Sequence, residues 1–415
     1  LNIRLADTPQ DQEARIIGYK KDAVVAFARV NRMDRRVLGK SGARIGFVAA
    51  GKNWLDLSHA MQVLGLNEKT AETHGITTYK VAMTWPLDTK TFAEWAEGLD
   101  TIVVVEEKRK IIEVQIKEAL FNDRRGRNVL GAKGSAGHIL FPESYALDPM
   151  IIAEKIGKIL IEEGCVFERL TASMLRIEQA KQANNAPTLA SRLPYFCSGC
   201  PHNSSTKVPE GSRAYAGIGC HYMVQWMDRS TLGFTQMGGE GANWIGESLF
   251  SNRDHVFQNI GDGTYNHSGI QAIRAAVAAE TTMTYKILFN DAVAMTGGQS
   301  NDGGLNPARI VQEMLGIGVQ NLTVVYDEKE DVRARDFPAG VDMLPREKLQ
   351  EVQNKYRDIS GVSVIVYVQT CAAEKRRRRK RGAFSDPAER LVINPSVCEG
   401  CGDCGVQSNC VSILP

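Results

Sequence analysis

Short apolar runs alternate with amphipathic segments along two stretches of the chain. The first stretch contains three such runs, at 44–51, 78–83 and 101–107, and the second contains four, at 255–260, 285–289, 322–327 and 363–368. The segments between most of these runs carry apolar residues at helical spacing. Short buried strands that alternate with helices indicate parallel sheets. The pattern therefore predicts an α/β fold with two sheet-containing domains.

Changes in this pattern set the predicted domain boundaries. The chain divides into an upstream tail at 1–40, an α/β domain at 41–140, a helical linker at 141–192, a second α/β domain at 193–373, a basic linker at 374–390 and a Cys-rich module at 391–415. The tail is charged, has a predicted helix around 22–35, and lacks a core pattern of its own. Since the chain starts at Leu1 and stops just after a Cys-rich run, we expect a fragment of a longer chain that is inactive alone.

Charge and composition exclude some classes of function. The formal net charge is +2 over 415 residues, which gives no reason to expect a nucleic-acid partner. No apolar run reaches the length of a membrane span, and no signal peptide is visible. We therefore expect a cytoplasmic protein without a membrane partner. Lys375–Arg381 is a run of seven basic residues, for which a solvated linker is the simplest interpretation, with a nucleic-acid patch or attraction of an acidic electron carrier left open.

Polar side chains stand at the ends of two runs in the second α/β domain. Gly261-Asp262-Gly263 follows one run and opens a helix, and Asn290 follows the next run. The two glycines permit a sharp turn close to a ligand, and a helix N-terminus after a strand suits phosphate groups. A carboxylate and an amide, completed by phosphate oxygens and water, suit Mg²⁺. We predict a phosphate and magnesium site here, with a plain turn as the alternative.

The Gly-Asp-Gly turn and the later Asn resemble the thiamine diphosphate motif, with Asp291 where a second Asn is usual. The ending Thr296-Gly297-Gly298-Gln299 resembles the 2-oxoacid:ferredoxin oxidoreductases. This resemblance implies that Asp262, Asn290 and the carbonyl of Ala292 hold Mg²⁺. It also implies that a set of residues contacts thiamine diphosphate, namely Gly219, Cys220, Gly261, Asp262, Gly263, Asn290, Ala292 and Thr296.

Eight of the nine cysteines lie from Cys197 onward, and clustered thiols without an export signal favour metal ligands over disulfides. Cys197 and Cys200 form a Cys-x-x-Cys pair, for which the residues alone leave zinc, a redox pair or free thiols open. The family resemblance implies one [4Fe–4S] cluster held by Cys197, Cys200, Cys220 and Cys371. Cys165 matches none of these patterns, and we predict that it is buried in a core.

The last cysteines, Cys398, Cys401, Cys404 and Cys410, begin with the Cys-x₂-Cys-x₂-Cys spacing of bacterial ferredoxins. Three thiolates on such a tight loop suit a [4Fe–4S] cluster, and zinc is the alternative. The final gap is longer than in the ferredoxin pattern. In that pattern the fourth Cys serves a second cluster, so we expect the ligands that complete both clusters to lie past Pro415.

The order of these motifs resembles the indolepyruvate ferredoxin oxidoreductases most closely. The resemblance implies a transketolase C-terminal-like domain, a thiamine diphosphate-binding domain and the start of a ferredoxin-like module. Glu106 and Glu107 end a run of the first domain, where capping or solvent exposure is a simpler interpretation than catalysis. The catalytic carboxylate is implied to come from an upstream domain, so we assign no catalytic residue.

The implied reaction is the oxidative decarboxylation of arylpyruvates, such as indolepyruvate from amino acid catabolism, to acyl-coenzyme A. Electrons would pass through [4Fe–4S] clusters to ferredoxin. The implied partners are the remainder of the same chain or a smaller gamma-type subunit, in a homo-oligomer. Another 2-oxoacid, a non-oxidative thiamine diphosphate decarboxylase and a pure electron-transfer protein remain as alternatives.

Overall fold

The computed structural model describes residues 4–123, 125–184 and 193–413. The chain forms two compact units, residues 1–189 and residues 190–415, each built around one sheet. Within the described residues no helix has both the length and the apolar character that a membrane crossing requires. The predicted α/β fold with parallel sheets is confirmed.

The first sheet has five strands in the order β1-β3-β2-β4-β5, all parallel except the short edge strand β1. The strands are β1 (Arg35–Arg36), β2 (Ile45–Ala50), β3 (Ile76–Val81), β4 (Thr101–Val105) and β5 (Asn128–Leu130). The helices are α1 (Pro9–Arg15), α2 (Lys21–Val30), α3 (Gly51–Leu64), α4 (Glu68–His74), α5 (Thr89–Trp95), α6 (Ile112–Ala119), α7 (Pro149–Glu162) and α8 (Glu168–Asn184). Every residue of β4 is buried, as expected for a parallel strand covered on both faces.

Two predictions for the first unit are corrected. The predicted helix at 22–35 ends at Val30, and Arg35–Arg36 pairs with β3, so the tail contributes an edge strand to this sheet. The predicted linker at 141–192 contributes α7 and α8 to the core, where Ile156 and Ile177 are buried. The polar sequence of α8 hid this role because only a narrow stripe of that helix is buried. Residues 185–192 lie outside the described residues.

The second sheet has seven parallel strands in the order β11-β10-β12-β9-β8-β6-β7. The strands are β6 (Ala214–Ala216), β7 (Thr231–Phe234), β8 (Phe257–Gly261), β9 (Met283–Phe289), β10 (Asn321–Tyr326), β11 (Asp342–Pro345) and β12 (Val362–Val368). The helices are α9 (His202–Ser205), α10 (Ala242–Glu247), α11 (Asp262–Thr264), α12 (Ile270–Ala278), α13 (Pro307–Gly316), α14 (Leu349–Arg357), α15 (Ala372–Lys380) and α16 (Asp403–Ser408). Because β8, β9 and β12 are neighbours, the segments that follow them meet at one edge of the sheet.

The basic run does not form the predicted solvated linker at 374–390. Residues Ala372–Lys380 form α15, and Glu374 on this helix is buried. A run of like charge predicts solvent exposure because the sequence does not show which groups accept hydrogen bonds from it. Here acceptors on other loops bind three arginines of the run. Residues 381–390 continue without a helix or strand.

Candidate functional site

A cavity of about 180 Å³ opens at the carboxyl edge of the second sheet, where β8 and β9 end. Loops from separate parts of the second unit line it, and Met237 from the Gly-rich loop 234–241 is among the lining residues. The structure brings together around this cavity all the residues predicted to contact thiamine diphosphate, which are Gly219, Cys220, Gly261, Asp262, Gly263, Asn290, Ala292 and Thr296. Their roles toward a cofactor stay predictions.

Asp262 is a buried carboxylate held by donors from three segments. Its Oδ1 accepts from the Gly263 N–H at 2.9 Å, and its Oδ2 accepts from the N–H groups of Asn290 (3.2 Å) and Asp291 (3.1 Å). Asn301 Nδ2 donates to the same Oδ2 at 2.9 Å. Burial raises the pKa of Asp262 to about 6, and these hydrogen bonds act in the opposite direction. The carboxylate is therefore fixed in place at the rim of the cavity.

Asn290 is oriented from two sides. Its Oδ1 accepts from the Ala292 N–H at 3.2 Å, and its Nδ2 lies 3.4 Å from Nε2 of His202. His202 is buried, and burial lowers its pKa to about 4, so the imidazole is neutral near pH 7. A neutral ring nitrogen that accepts from the amide fixes which way the Asn290 oxygen points. Sequence analysis missed His202, although it stands two residues after Cys200.

Several buried polar atoms around the cavity make no hydrogen bond within the described part of the chain. They include Oδ1 of Asn301 and Nε2 of His221. A Cβ added at Gly217 would stand 2.6 Å from that Nε2, and one added at Gly219 would stand 2.7 Å from Cε1 of the same ring. Glycine is thus required for His221 to lie beneath the loop. Unpaired buried polar atoms are costly, so this cradle fits a polar ligand such as a diphosphate.

The predicted magnesium ligands mix different oxygen types. Among the described residues, no three His, Cys, Asp or Glu side chains converge as a single-ion site. A metal held by Asp262 would therefore need the amide oxygen of Asn290, the carbonyl of Ala292, and oxygens from phosphate and water. Mg²⁺ accepts such a mixed oxygen set, and so the residues present fit this ion.

The four predicted cluster thiols lie near enough to influence one another's charge, but the described residues hold no group of three His, Cys, Asp or Glu side chains placed to bind one metal ion. The pKa of Cys200 is raised to about 12, mainly by burial, and the nearby thiols of Cys197, Cys220 and Cys371 contribute in the same direction. Cys220 also lines the cavity, and the Cys371 N–H donates to the Asn290 carbonyl at 2.9 Å. A backbone hydrogen bond therefore joins one of the predicted cluster cysteines to one of the predicted magnesium ligands. Cys165 lies elsewhere and is buried, as predicted.

The C-terminal cysteines divide into two environments. Cys398, Cys401 and Cys404 are exposed, whereas Cys410 is partly buried, and Ser412 two residues later hydrogen-bonds through its Oγ to Oγ of Ser198, which lies between Cys197 and Cys200. Asn409 anchors this contact, because its Nδ2 donates to Asn203 Oδ1 and its carbonyl accepts from Asn203 Nδ2, both at 3.0 Å. The structure thus brings Cys410 close to the segment that carries Cys197 and Cys200. That all four C-terminal cysteines are cluster ligands stays a prediction.

Comparison with known proteins agrees with both units. Residues 35–184 match the indolepyruvate oxidoreductase domain, and residues 217–334 match the C-terminal TPP binding domain of thiamine pyrophosphate enzymes, thiamine pyrophosphate being another name for thiamine diphosphate. Indolepyruvate oxidoreductase subunit IorA of Thermococcus kodakarensis is 24% identical over 396 residues, 90% of this chain and 56% of that protein. The same subunit of Methanothermobacter marburgensis is 25% identical over 410 residues, 91% of this chain and 60% of that protein.

The chain therefore spans a little more than half the length of these curated relatives. Among solved structures, 2-oxoglutarate:ferredoxin oxidoreductase from Magnetococcus marinus aligns at 17% identity with a TM-score of 0.34, over 49% of this chain and 75% of that one.

Proposed function

We propose that this chain, which combines an indolepyruvate oxidoreductase domain with a thiamine pyrophosphate-binding domain, is the cofactor- and electron-handling part of a 2-oxoacid:ferredoxin oxidoreductase. The domain matches confirm the family resemblance predicted from the motifs. One observation carries the proposal: the predicted diphosphate and magnesium residues line a single cavity, and Cys220, one of the four predicted cluster thiols, lines the same cavity.

Each group at the site has a role that follows from its contacts. The glycines at 261 and 263 leave room for the diphosphate, and Asp262, Asn290 and the Ala292 carbonyl hold its Mg²⁺. His202 and Asn301 do not need to touch the metal, because they orient Asn290 and Asp262. Thiamine diphosphate, when bound, supplies the nucleophilic carbon and the electron sink for decarboxylation.

The thiol group supplies the route for electrons. Cys197, Cys200, Cys220 and Cys371 would hold a [4Fe–4S] cluster, which when bound would accept the electrons of the decarboxylation. Cys220 would link this cluster to the cofactor cavity, because it lines that cavity. The C-terminal cysteines hold the next cluster, and the Asn203–Asn409 contact docks their segment against the first thiol loop.

The substrate and partners rest on the relatives. Their names support indolepyruvate as the 2-oxoacid. Coenzyme A as the acyl acceptor and ferredoxin as the electron acceptor are what the resemblance of the motifs implies. The relatives are called a subunit and are longer than this chain, which supports further protein in the working enzyme, in the same chain or as a smaller gamma-type subunit. A homo-oligomer is what the family resemblance implies.

Iron content tests the proposal and its main alternative. Protein purified anaerobically and reconstituted with iron should bind thiamine diphosphate by calorimetry and show iron–sulfur absorption in the visible. Serine in place of Cys197, Cys200, Cys220 or Cys371, one at a time, should remove about four irons in each case. The control Cys165→Ser should retain all iron, because its thiol is buried in the other unit.

Two results would contradict this assignment. Full iron content in Cys371→Ser would place the fourth ligand elsewhere. Thiamine diphosphate binding without any iron in the unmodified protein would favour a non-oxidative decarboxylase.

A further inference from the structure

Three arginines of α15 reach two loops of the second unit, the loop that carries Ser198 and the loop that follows β9. Arg376 Nη2 donates to the Ser198 carbonyl at 2.9 Å, and Arg377 Nη1 donates to the Gly297 carbonyl at 2.7 Å. Arg378 Nη2 donates to the Asp291 carboxylate at 2.6 Å. Ser198 lies between two cluster thiols, while Gly297 and Asp291 belong to the loops around the cofactor cavity. The basic run thus contacts loops of the candidate site.

Asp291 has an unusual backbone for a residue with a side chain. Its φ of 57° lies in the left-handed region, which Asp and Asn tolerate better than most residues. This conformation directs the Asp291 N–H to Oδ2 of Asp262. Arg378 contacts the residue at two places, because the same Nη2 lies 3.4 Å from the Asp291 carbonyl. Arg378 therefore holds the turn that holds Asp262.

The carboxylate of Asp291 places a second negative charge beside a site that fits a diphosphate. The thiamine diphosphate motif usually has an uncharged Asn at this position, which adds no such charge. The ion pair with Arg378 offsets this charge, and about a third of each side chain remains exposed (30% and 42%). Buried Glu374 steadies the arginine, because its Oε1 lies 3.4 Å from Arg378 Nε. An acid at 291 and a base at 378 thus form a matched pair.

We propose that Arg378 is a positioning residue for the thiamine diphosphate site: it fixes the left-handed Asp291 turn and neutralises its carboxylate, so that Asp262 and Asn290 are set to receive a metal-bound diphosphate. This inference rests on the proposed function. It assigns the basic run a role at the cofactor, and it explains why this chain has Asp where the motif usually has Asn.

A charge-swap series tests the pairing. Each enzyme is freed of bound cofactor, and its affinity for thiamine diphosphate in the presence of Mg²⁺ is then measured by calorimetry. The proteins compared are the unmodified enzyme, Arg378→Gln, Asp291→Asn and the double variant. Arg378→Gln should weaken binding about tenfold, since loss of an outer contact at a metal site typically costs at least that much. Asp291→Asn should stay within about threefold of the unmodified protein. The double variant should recover to about the same level, because the unpaired carboxylate is gone.

Arg379→Gln is the matched control. It removes the same charge from the same helix, but Arg379 contacts residues away from the cofactor cavity, namely the Ser385 carbonyl at 3.2 Å, Asp386 at 3.9 Å and the Phe384 ring at 5.3 Å from its centroid. The thiamine diphosphate affinity of this variant should therefore equal that of the unmodified protein. Arg378→Lys keeps the charge and should retain most of the affinity, which covers the case in which Arg378→Gln does not fold. Iron content and the thermal unfolding midpoint report folding in every variant.

Each outcome decides something. Unchanged affinity in Arg378→Gln, or an equal loss in Arg379→Gln, would overturn the positioning role. A double variant as weak as Arg378→Gln would overturn the charge-neutralising role, as would weak binding by Arg378→Lys. If the unmodified protein bound no thiamine diphosphate at all, the proposed function would fail instead, which keeps the two claims separate.

Discussion

Carboxylates end a strand in both sheets, yet they have different surroundings. In the first unit, Glu106 follows β4 and accepts from the N–H groups of Ile111 (3.0 Å), Ile112 (2.8 Å) and Glu113 (3.1 Å), all at the start of α6. In the second unit, Asp262 follows β8 and accepts from donors that begin in α11, follow β9 and lie beyond residue 300.

The difference shows what turns a strand-end carboxylate into a candidate site. The oxygens of Glu106 are used by the next helix of the same chain segment, which is the role of a helix cap. Glu107 accepts a backbone N–H from a more distant segment, since its Oε2 accepts from the Leu147 N–H at 2.8 Å. Asp262 instead gathers segments far apart in sequence around a cavity with unpaired polar atoms. Convergence on the carboxylate, more than its position on the sheet, marks the site.

The largest effect expected is from Asp262→Ala. Loss of the carboxylate removes a predicted metal ligand and the acceptor for three loops, so Mg²⁺-dependent thiamine diphosphate binding should fall by at least about a hundredfold. Calorimetry measures it, with Glu107→Ala as the control at the other sheet. Wild-type affinity in Asp262→Ala would place the metal elsewhere.

A smaller loss is expected from Asn301→Ala. Asn301 orients Asp262 through Nδ2 and presents an unpaired Oδ1 near the cavity, so its removal should weaken thiamine diphosphate binding about tenfold. The same titration measures this loss, and Asn301→Asp provides a sharper version because it keeps an oxygen but loses the donor. If Asn301→Ala bound as tightly as the unmodified protein, the orienting role would be wrong.

Buried histidines extend the comparison to the opposite edge of the second sheet. His255 lies at the start of β8, with Nε2 2.7 Å from Thr284 Oγ1, and burial lowers its pKa to about 4 from 6.5. The unfolded chain therefore binds more protons between these values, and stability falls as pH drops from about 6.5 to 4. Over this pH range His255 contributes a loss on the order of 3 kcal/mol in the free energy of unfolding.

Denaturant unfolding at several pH values checks this contribution. In His255→Gln the stability loss between pH 6.5 and 4 should be smaller than in the unmodified protein, while thiamine diphosphate affinity at pH 7 should be unchanged. An equal loss in both proteins would show that His255 is not the group that titrates.

The smallest effect is expected from Glu106→Ala in the first unit. Because Glu106 caps α6, its loss should lower the free energy of unfolding by about 1 kcal/mol. Cofactor affinity and iron content should not change. A loss of cofactor binding with unchanged stability would reverse the contrast between the two strand ends and make Glu106 part of a site.

The sequence predictions for the candidate site rest on signals that lie within short segments. The Gly261-Asp262-Gly263 turn, Asn290 and the paired cysteines each occupy a few consecutive residues, so their chemistry is legible before any fold is known. The contribution of α8 to the core could not be predicted from the sequence, because a helix that buries only a narrow stripe of its surface resembles a polar linker. The same holds for the basic run, since charge alone does not reveal the acceptors that surround it.

By itself, the sequence determined the alternation of strands and helices, the two parallel sheets and the turn chemistry at the ends of β8 and β9. These follow from periodicity and from local backbone needs, which act over a few residues. Tertiary structure alone decided that His202 meets Asn290 across 88 positions, that Asn301 meets Asp262 across 39, and that Arg378 meets Asp291 across 87. A parallel sheet gathers the carboxyl ends of its strands at one edge whatever their separation along the chain, and no local pattern records which side chains it will bring together there.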